Sequence, residues 1–374
     1  MLKFDILKRD GLARVGVIRT PHGDIQTPAF VGAATRATVK ALTYHQMNNL
    51  GSQAVLSNTY HLFLKPEADL IREGGGLAEF MGWRKPTFTD SGGFQIFSLP
   101  DVKLNEEGAC FKSHIDGSKF MMTPELSMQT QWKIGADIHM AFDQLARSDA
   151  HDDMKRAMER THRWLVRCVD EHERLEKEYL AKGLPEQYLY AVVQGGTFLD
   201  LRRESAEFES SLAVDGYGIG GVFTADGMDE MLQNVCVILP EERPRHLLGM
   251  GQEPRDLFVG AEFGCDTFDC VGPTRMARNG SLYTLDGRIN IKNAKFTHDF
   301  TPVQDGCECE CCKNYTRAYL HHLFKVDEIT AKVLASIHNE YFVVNTVDKI
   351  REALLNGTFA DYKREFLARY YSKD

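Results

Sequence analysis

Two groups of residues in this sequence have the types and spacing to do chemistry. The first is "DGCECECCKNY", which packs Cys307, Cys309, Cys311 and Cys312 into one short stretch. Thiolates at this density suit zinc, which takes four Cys or His ligands in tetrahedral geometry. Four cysteines so close together cannot all wrap one ion without strain, so a more distant ligand is expected. His338 in "LASIHNEYF" and the nearer His321 and His322 in "RAYLHHLFK" are the candidates. Three thiolates plus one histidine would leave no coordination position for water, which points to a structural ion.

The second group is carboxylic. "FTDSGGFQ" carries Asp90 at the end of an apolar run, and "TFDCVGPTR" carries Asp269 in the same position, with Arg275 and Arg278 shortly after. Two carboxylates facing one pocket are the minimum for glycosidic chemistry. One attacks the anomeric carbon while the other manages the proton of the leaving group. Gly92 and Gly93 would let backbone N–H groups approach a flat ring closely. Asp143 and Gln194 supply the acceptor and donor edges that a nucleobase needs.

These residues must be brought together by the elements between them. Eight short apolar runs recur along the chain: "AFVGAA" (29–34), "AVLSN" (54–58), "TFTD" (87–90), "DIHMAFD" (137–143), "YAVVQG" (190–195), "YGIGG" (217–221), "RHLLGMG" (245–251) and "DTFDCV" (266–271). Such runs read as buried parallel strands, and amphipathic stretches separate them. Thr123-Pro124 opens one helix, and another is expected from Asp152 to about Ala181, stopped at Gly183. The pattern predicts an α/β fold, a TIM (β/α)8 barrel. An open doubly wound sheet is the alternative, but no G-x-G-x-x-G follows the first strand. The runs end in Asn58, Asp90, Asp143, Gln194, Gly221 and Asp269, which a barrel would gather at one mouth. Asn58 and Gly221 would also suit plain turn roles.

Composition narrows the class. The chain has 374 residues, 43% hydrophobic and 26% charged, with no apolar run long enough to span a membrane and no secretory signal at the start. Nine cysteines, five of them scattered, are poor material for a disulfide framework and suit a reducing, cytoplasmic setting. Net charge is −9, yet residues 272–325 hold eight Lys/Arg against five Asp/Glu. A basic segment on an acidic chain suggests a confined polyanion site.

"TDSGGFQIFSL", "VQGG", "YGIGG", "FDCVGPTR" and "CEC-x-x-C" with His338 occur in this order. Together they resemble the tRNA-guanine transglycosylase family over essentially the whole chain. That resemblance implies an irregular barrel (1–271), a zinc-binding, tRNA-facing subdomain (272–345) and a C-terminal helix on the barrel (346–374). It implies exchange of the wobble guanine of tRNA for a 7-deazaguanine, with Asp269 as nucleophile and Asp90 as general acid/base. Base recognition would fall on Ser91, Gly92, Gly93, Phe94, Gln95, Asp143, Gln194, Gly221, Val222, Asp226 and Leu248. The tRNA would meet Arg275, Arg278, Gln252 and Arg255. Zinc would be held by Cys307, Cys309, Cys312 and His338, leaving Cys311 as a spare. "NYTRAYLHHL" is similar to the helix through which the family forms homodimers, with Tyr315, Tyr319 and His322 in the contact positions. A non-catalytic tRNA-binding partner subunit is the alternative; retention of both aspartates speaks against it. After Gly221 the chain reads Val222-Phe223-Thr224-Ala225-Asp226, where bacterial members usually carry Glu at the last position. The base therefore stays open between queuine and its aminomethyl precursor.

Overall fold

The computed structural model describes residues 1–220 and 227–372. At its centre eight parallel strands close into a barrel: Ala29–Ala33, Ala54–Ser57, Thr87–Thr89, Ile138–Met140, Tyr188–Val193, Gly216–Ile219, Arg245–Leu247 and Thr267–Cys270. Chain order is kept around the ring, and the eighth strand closes on the first with Asp269 opposite Val31. Each of the eight apolar runs therefore contributes a strand, and closure excludes the open sheet. Side chains alternate across each strand. Val31, Leu56, Phe88, Met140, Tyr190 and Val192 fill the interior, while Phe30, Val55, Ala191 and Phe268 belong to the outer layer against the helices.

One end of the barrel is plugged. An antiparallel sheet of Lys3–Asp10, Ala13–Thr20 and Gly23–Thr27 places Ile18 and Ile25, with Leu2, in the same interior cluster. At this end Asp137, Asp215 and Asp266 each stand just before a barrel strand. Each accepts a backbone N–H from the neighbouring strand: Thr87 at 2.8 Å, Leu189 at 3.0 Å and Arg245 at 2.7 Å. A buried Arg14 closes on both oxygens of Asp266. The chemistry is thereby left to the opposite, carboxyl end of the strands.

Local signals hold in the helices. Thr123 caps Pro124–Ile134, its hydroxyl accepting the Leu126 N–H at 3.1 Å. The long amphipathic stretch is the helix His151–Leu180. After the eighth strand come Gly272–Arg278, a small hairpin (Ser281–Leu282 with Ile289–Asn290), the short helices Glu310–Asn314 and Arg317–Lys325, and then Ile329–Asn356. The expected domain boundary at 345/346 falls inside this last helix. It runs unbroken because no Gly or Pro interrupts it before Gly357, which ends it at φ +73°. Buried Asn339 rivets it to the segment before it, accepting the Tyr283 N–H and donating to the carbonyls of Pro273 and Ser281, both at 3.0 Å. Farther along, Arg351 donates to the Pro28 carbonyl at 2.8 Å, just before the first barrel strand. Among the described residues no helix is long and apolar enough to cross a membrane.

Candidate active site and metal centre

Asp90 follows the third barrel strand, and four donors converge on its carboxylate. Thr59 N–H (2.9 Å) and Gly92 N–H (3.1 Å) reach Oδ1, while the Asn58 amide and Gln95 Nε2 reach Oδ2. The Thr59 hydroxyl also donates to the Asp90 carbonyl at 2.5 Å. Donors favour the anion, but loss of water outweighs them. Burial first, with the nearby charge of Asp269 adding to it, pushes the Asp90 carboxyl up to about 7. Asn58 does double duty, since its side-chain oxygen caps the helix Thr59–Leu64 through the His61 N–H at 3.0 Å. Gly92 adopts φ +79°, and a Cβ there would stand 3.0 Å from the Tyr60 nitrogen; at Gly93 it would stand 2.8 Å from the Asp143 carbonyl. The protein's own packing thus requires both glycines, in addition to whatever ligand they admit.

Asp269 ends the eighth strand. Oδ1 accepts the Gly249 N–H at 2.9 Å and contacts His246 Nε2 at 3.1 Å. Among the described residues both of its hydrogen bonds fall on Oδ1, which leaves Oδ2 free. His246 is fully buried on the seventh strand, and its Nδ1 meets the Thr267 hydroxyl at 2.8 Å.

Asp143 and Gln194 follow the fourth and fifth strands, Asp143 by three residues, and are joined. The Gln194 amide donates to Asp143 Oδ2 at 2.6 Å and the Ser91 hydroxyl to Oδ1 at 2.8 Å. Burial raises the Asp143 carboxyl above its ordinary value. The Gln194 backbone N–H is anchored on Ser205 at 3.1 Å, and Ser205 donates to Glu209 at 3.0 Å. Leu248 lies partly buried against the interior cluster, and a Cβ at Gly220 would approach its Cδ1 to 3.1 Å. Phe94 is 63% exposed at the rim, an open aromatic face beside this row of polar groups. The expected Gly221, Val222 and Asp226 lie outside the described residues.

The cysteine cluster forms a compact group with one histidine. The sulfurs of Cys307, Cys309 and Cys312 and a nitrogen of His338 all lie within 4.8 Å of one another. His338 Nδ1 stands 3.8, 3.5 and 3.4 Å from those sulfurs in turn. Behind it, Nε2 donates to the Tyr283 carbonyl at 2.8 Å, which fixes the tautomer and turns the Nδ1 lone pair toward the sulfurs. Three thiols and an oriented imidazole form a donor set that could hold a metal ion. Cys311 is buried in the apolar core instead. Of the competing histidines, His321 bonds the Ile291 carbonyl at 2.8 Å and His322 is exposed.

Known proteins match this chain along its length. The family profile described as "Queuine tRNA-ribosyltransferase" matches residues 9–372. The chain belongs to this family. Proteins named queuine tRNA-ribosyltransferase from Symbiobacterium thermophilum and Herpetosiphon aurantiacus are 46% and 47% identical to it, over 99% and 96% of this chain and 92% and 91% of their own. The namesake from Halothermothrix orenii is 44% identical over 100% of this chain and 99% of its own.

In this member of the queuine tRNA-ribosyltransferase family, the basic helix Gly272–Arg278 directly follows the strand of Asp269. Arg275 is exposed and Arg278 half-buried; burial, followed by the repulsion of Arg275, lowers the Arg278 guanidinium from its ordinary value. Gln252 is exposed, and Arg255 sits 3.7 Å from Asp229. Tyr315 and Tyr319 stack with ring centroids 5.5 Å apart. Sequence reasoning passed over Thr59 and His246. Thr59 directly follows the named Asn58. His246 stands out only as a polar residue amid an apolar run.

Proposed function

We propose that this protein exchanges the wobble guanine of tRNA for a 7-deazaguanine base by double displacement. The observation that carries the reading is the pair of unlike aspartates at the barrel mouth: Asp269 with one carboxylate oxygen unengaged among the described residues, and Asp90 held up to about 7. Asp269 Oδ2 attacks C1′ of the wobble ribose, and the bond from C1′ to guanine breaks as guanine takes a proton from Asp90. The incoming base then gives a proton back to Asp90, its nitrogen bonds to C1′, and the bond to Asp269 breaks. Two inversions retain configuration. A group near 7 can both give and take a proton at neutral pH.

Asp143, Gln194 and Ser91 offer the hydrogen-bonding edge for the base, with Gly92, Gly93, Gln95 and Leu248 around it and Phe94 above. Gly221, Val222 and Asp226 join this set on the family resemblance, and queuine and its aminomethyl precursor remain the two base candidates. Arg275 and Arg278, with Gln252 and Arg255, face the anticodon loop. Zinc is the ion that three thiolates and one imidazole suit, and it would brace the segment that carries these arginines. The stacked Tyr315 and Tyr319 with the exposed His322 support a homodimer contact, and nine unpaired cysteines suit the cytoplasm. Exchange of radiolabelled guanine into tRNA tests the reading; a wild-type chain that exchanges none refutes it. Asp269→Asn is expected to abolish the covalent RNA adduct seen on denaturing gels with wild type.

A further inference from the structure

We propose that His246 is a positioning residue that makes Asp269 a good leaving group in the second half of the exchange. The inference rests on the transglycosylase reading and deepens it. A carboxylate can only accept, so His246 Nε2 must donate its hydrogen to Asp269 Oδ1 across 3.1 Å. The other ring nitrogen can then accept the Thr267 hydroxyl hydrogen at 2.8 Å, which fixes the tautomer. Strand register explains the arrangement. His246 pairs with Thr267, and Asp269 stands two residues on, so the buried imidazole spans both levels of the barrel wall. Phe88 packs on the ring with centroids 5.4 Å apart and holds its plane. Together with the Gly249 N–H, this gives Oδ1 two fixed donors.

The two donors act unequally on the two states of Asp269. On the free carboxylate they meet a charged acceptor; on the glycosyl ester they meet a neutral carbonyl oxygen, which binds them more weakly. They therefore favour the free carboxylate over the ester. When the incoming base attacks C1′, the C1′–Oδ2 bond breaks and its electron pair returns to a carboxylate already prepared to hold it. The same donors fix which oxygen attacks, because among the described residues Oδ1 is occupied and Oδ2 is not.

The experiment is the guanine-driven reversal of the covalent adduct. Enzyme and an anticodon stem-loop RNA are brought to equilibrium with rising guanine, and the adduct is counted on a denaturing gel. His246→Phe keeps a ring against Phe88 and removes the donor. It is expected to raise the guanine concentration for half-reversal by about tenfold, the difference between a charged and a neutral hydrogen bond. Thr267→Val leaves the imidazole but frees its tautomer, and should shift the midpoint the same way by less; it carries the test if the first variant does not fold. An unchanged midpoint in both variants, whatever happens to the rates, would reduce His246 to a structural prop and overturn the proposal. A wild-type enzyme that forms no adduct would instead overturn the transglycosylase reading beneath it.

Discussion

Replacing Asp90 with Asn should cost the protein its activity and shift its stability relative to wild type upward as pH rises. The Asp90 carboxyl moves from its ordinary 3.8 to about 7 on folding. Below the lower value both states are protonated and nothing is at stake. Between the two values the unfolded chain ionises while the folded one keeps its proton, so stability falls as pH rises; above about 7 the full cost is present. A shift of roughly three units corresponds to ~4 kcal/mol. Asn cannot ionise and escapes that cost, but it has one acceptor oxygen where the carboxylate has two. The donors from Thr59 and Gly92 converge on one oxygen and those from Asn58 and Gln95 on the other, so one pair is left facing an amide NH2. Leaving those two donors unsatisfied costs ~1–3 kcal/mol each, an offset that does not vary with pH, so the test lies in the pH dependence of the difference. Urea unfolding of wild type and Asp90→Asn at about pH 5.5 and about pH 8.5 should show the stability of the variant relative to wild type rising by ~2 kcal/mol. A gap that stays constant across that range would mean that Asp90 titrates as an ordinary carboxylate, and the argument for its acid/base role would lose its physical basis.

Further outcomes follow from the metal group and the basic helix. Cys311→Ser should retain one equivalent of zinc by atomic absorption while Cys312→Ser loses it; the opposite pattern would break the ligand assignment. Arg275→Ala should raise KM for tRNA with little change in kcat and lower the slope of log affinity against log salt by about one. An unchanged slope would remove Arg275 from the RNA interface.

The barrel was legible because its signals are local: short apolar runs, a two-residue alternation and a polar residue at each end. The same holds for the Thr123 cap and for the helix stopped just short of Gly183. The site was legible only in part. Asp90, Asp143, Gln194 and Asp269 lie at or just beyond strand ends and could be picked out in one dimension. Thr59 and His246 act on carboxylates contributed by other strands, and no spacing in the sequence reports a contact that closure of the ring creates. The fourth ligand was open among three histidines for a similar reason. What singles out His338 is that its Nδ1 lies within 3.8 Å of all three sulfurs, a meeting made in space and not in the chain. The boundary expected at 345/346 shows the converse, since the unbroken helical composition through that point was there to be read.

The helix Ile329–Asn356 packs along the first barrel strand, Ala29–Ala33, and fastens to its start through Arg351. Synthesis therefore imposes a wait. That strand leaves the ribosome some three hundred residues before the helix that covers it, an interval of roughly 15–60 s at ordinary elongation rates. Through that interval one apolar flank of the nascent barrel has no lid of its own, and any holding chaperone would find its binding site there. Chains stalled before residue 329 should be cut by pulsed protease within the first strand, whereas chains released at full length should resist. The helix Ile329–Asn356 is thus a clock as well as a wall: the first strand stays uncovered until some three hundred further residues have been made.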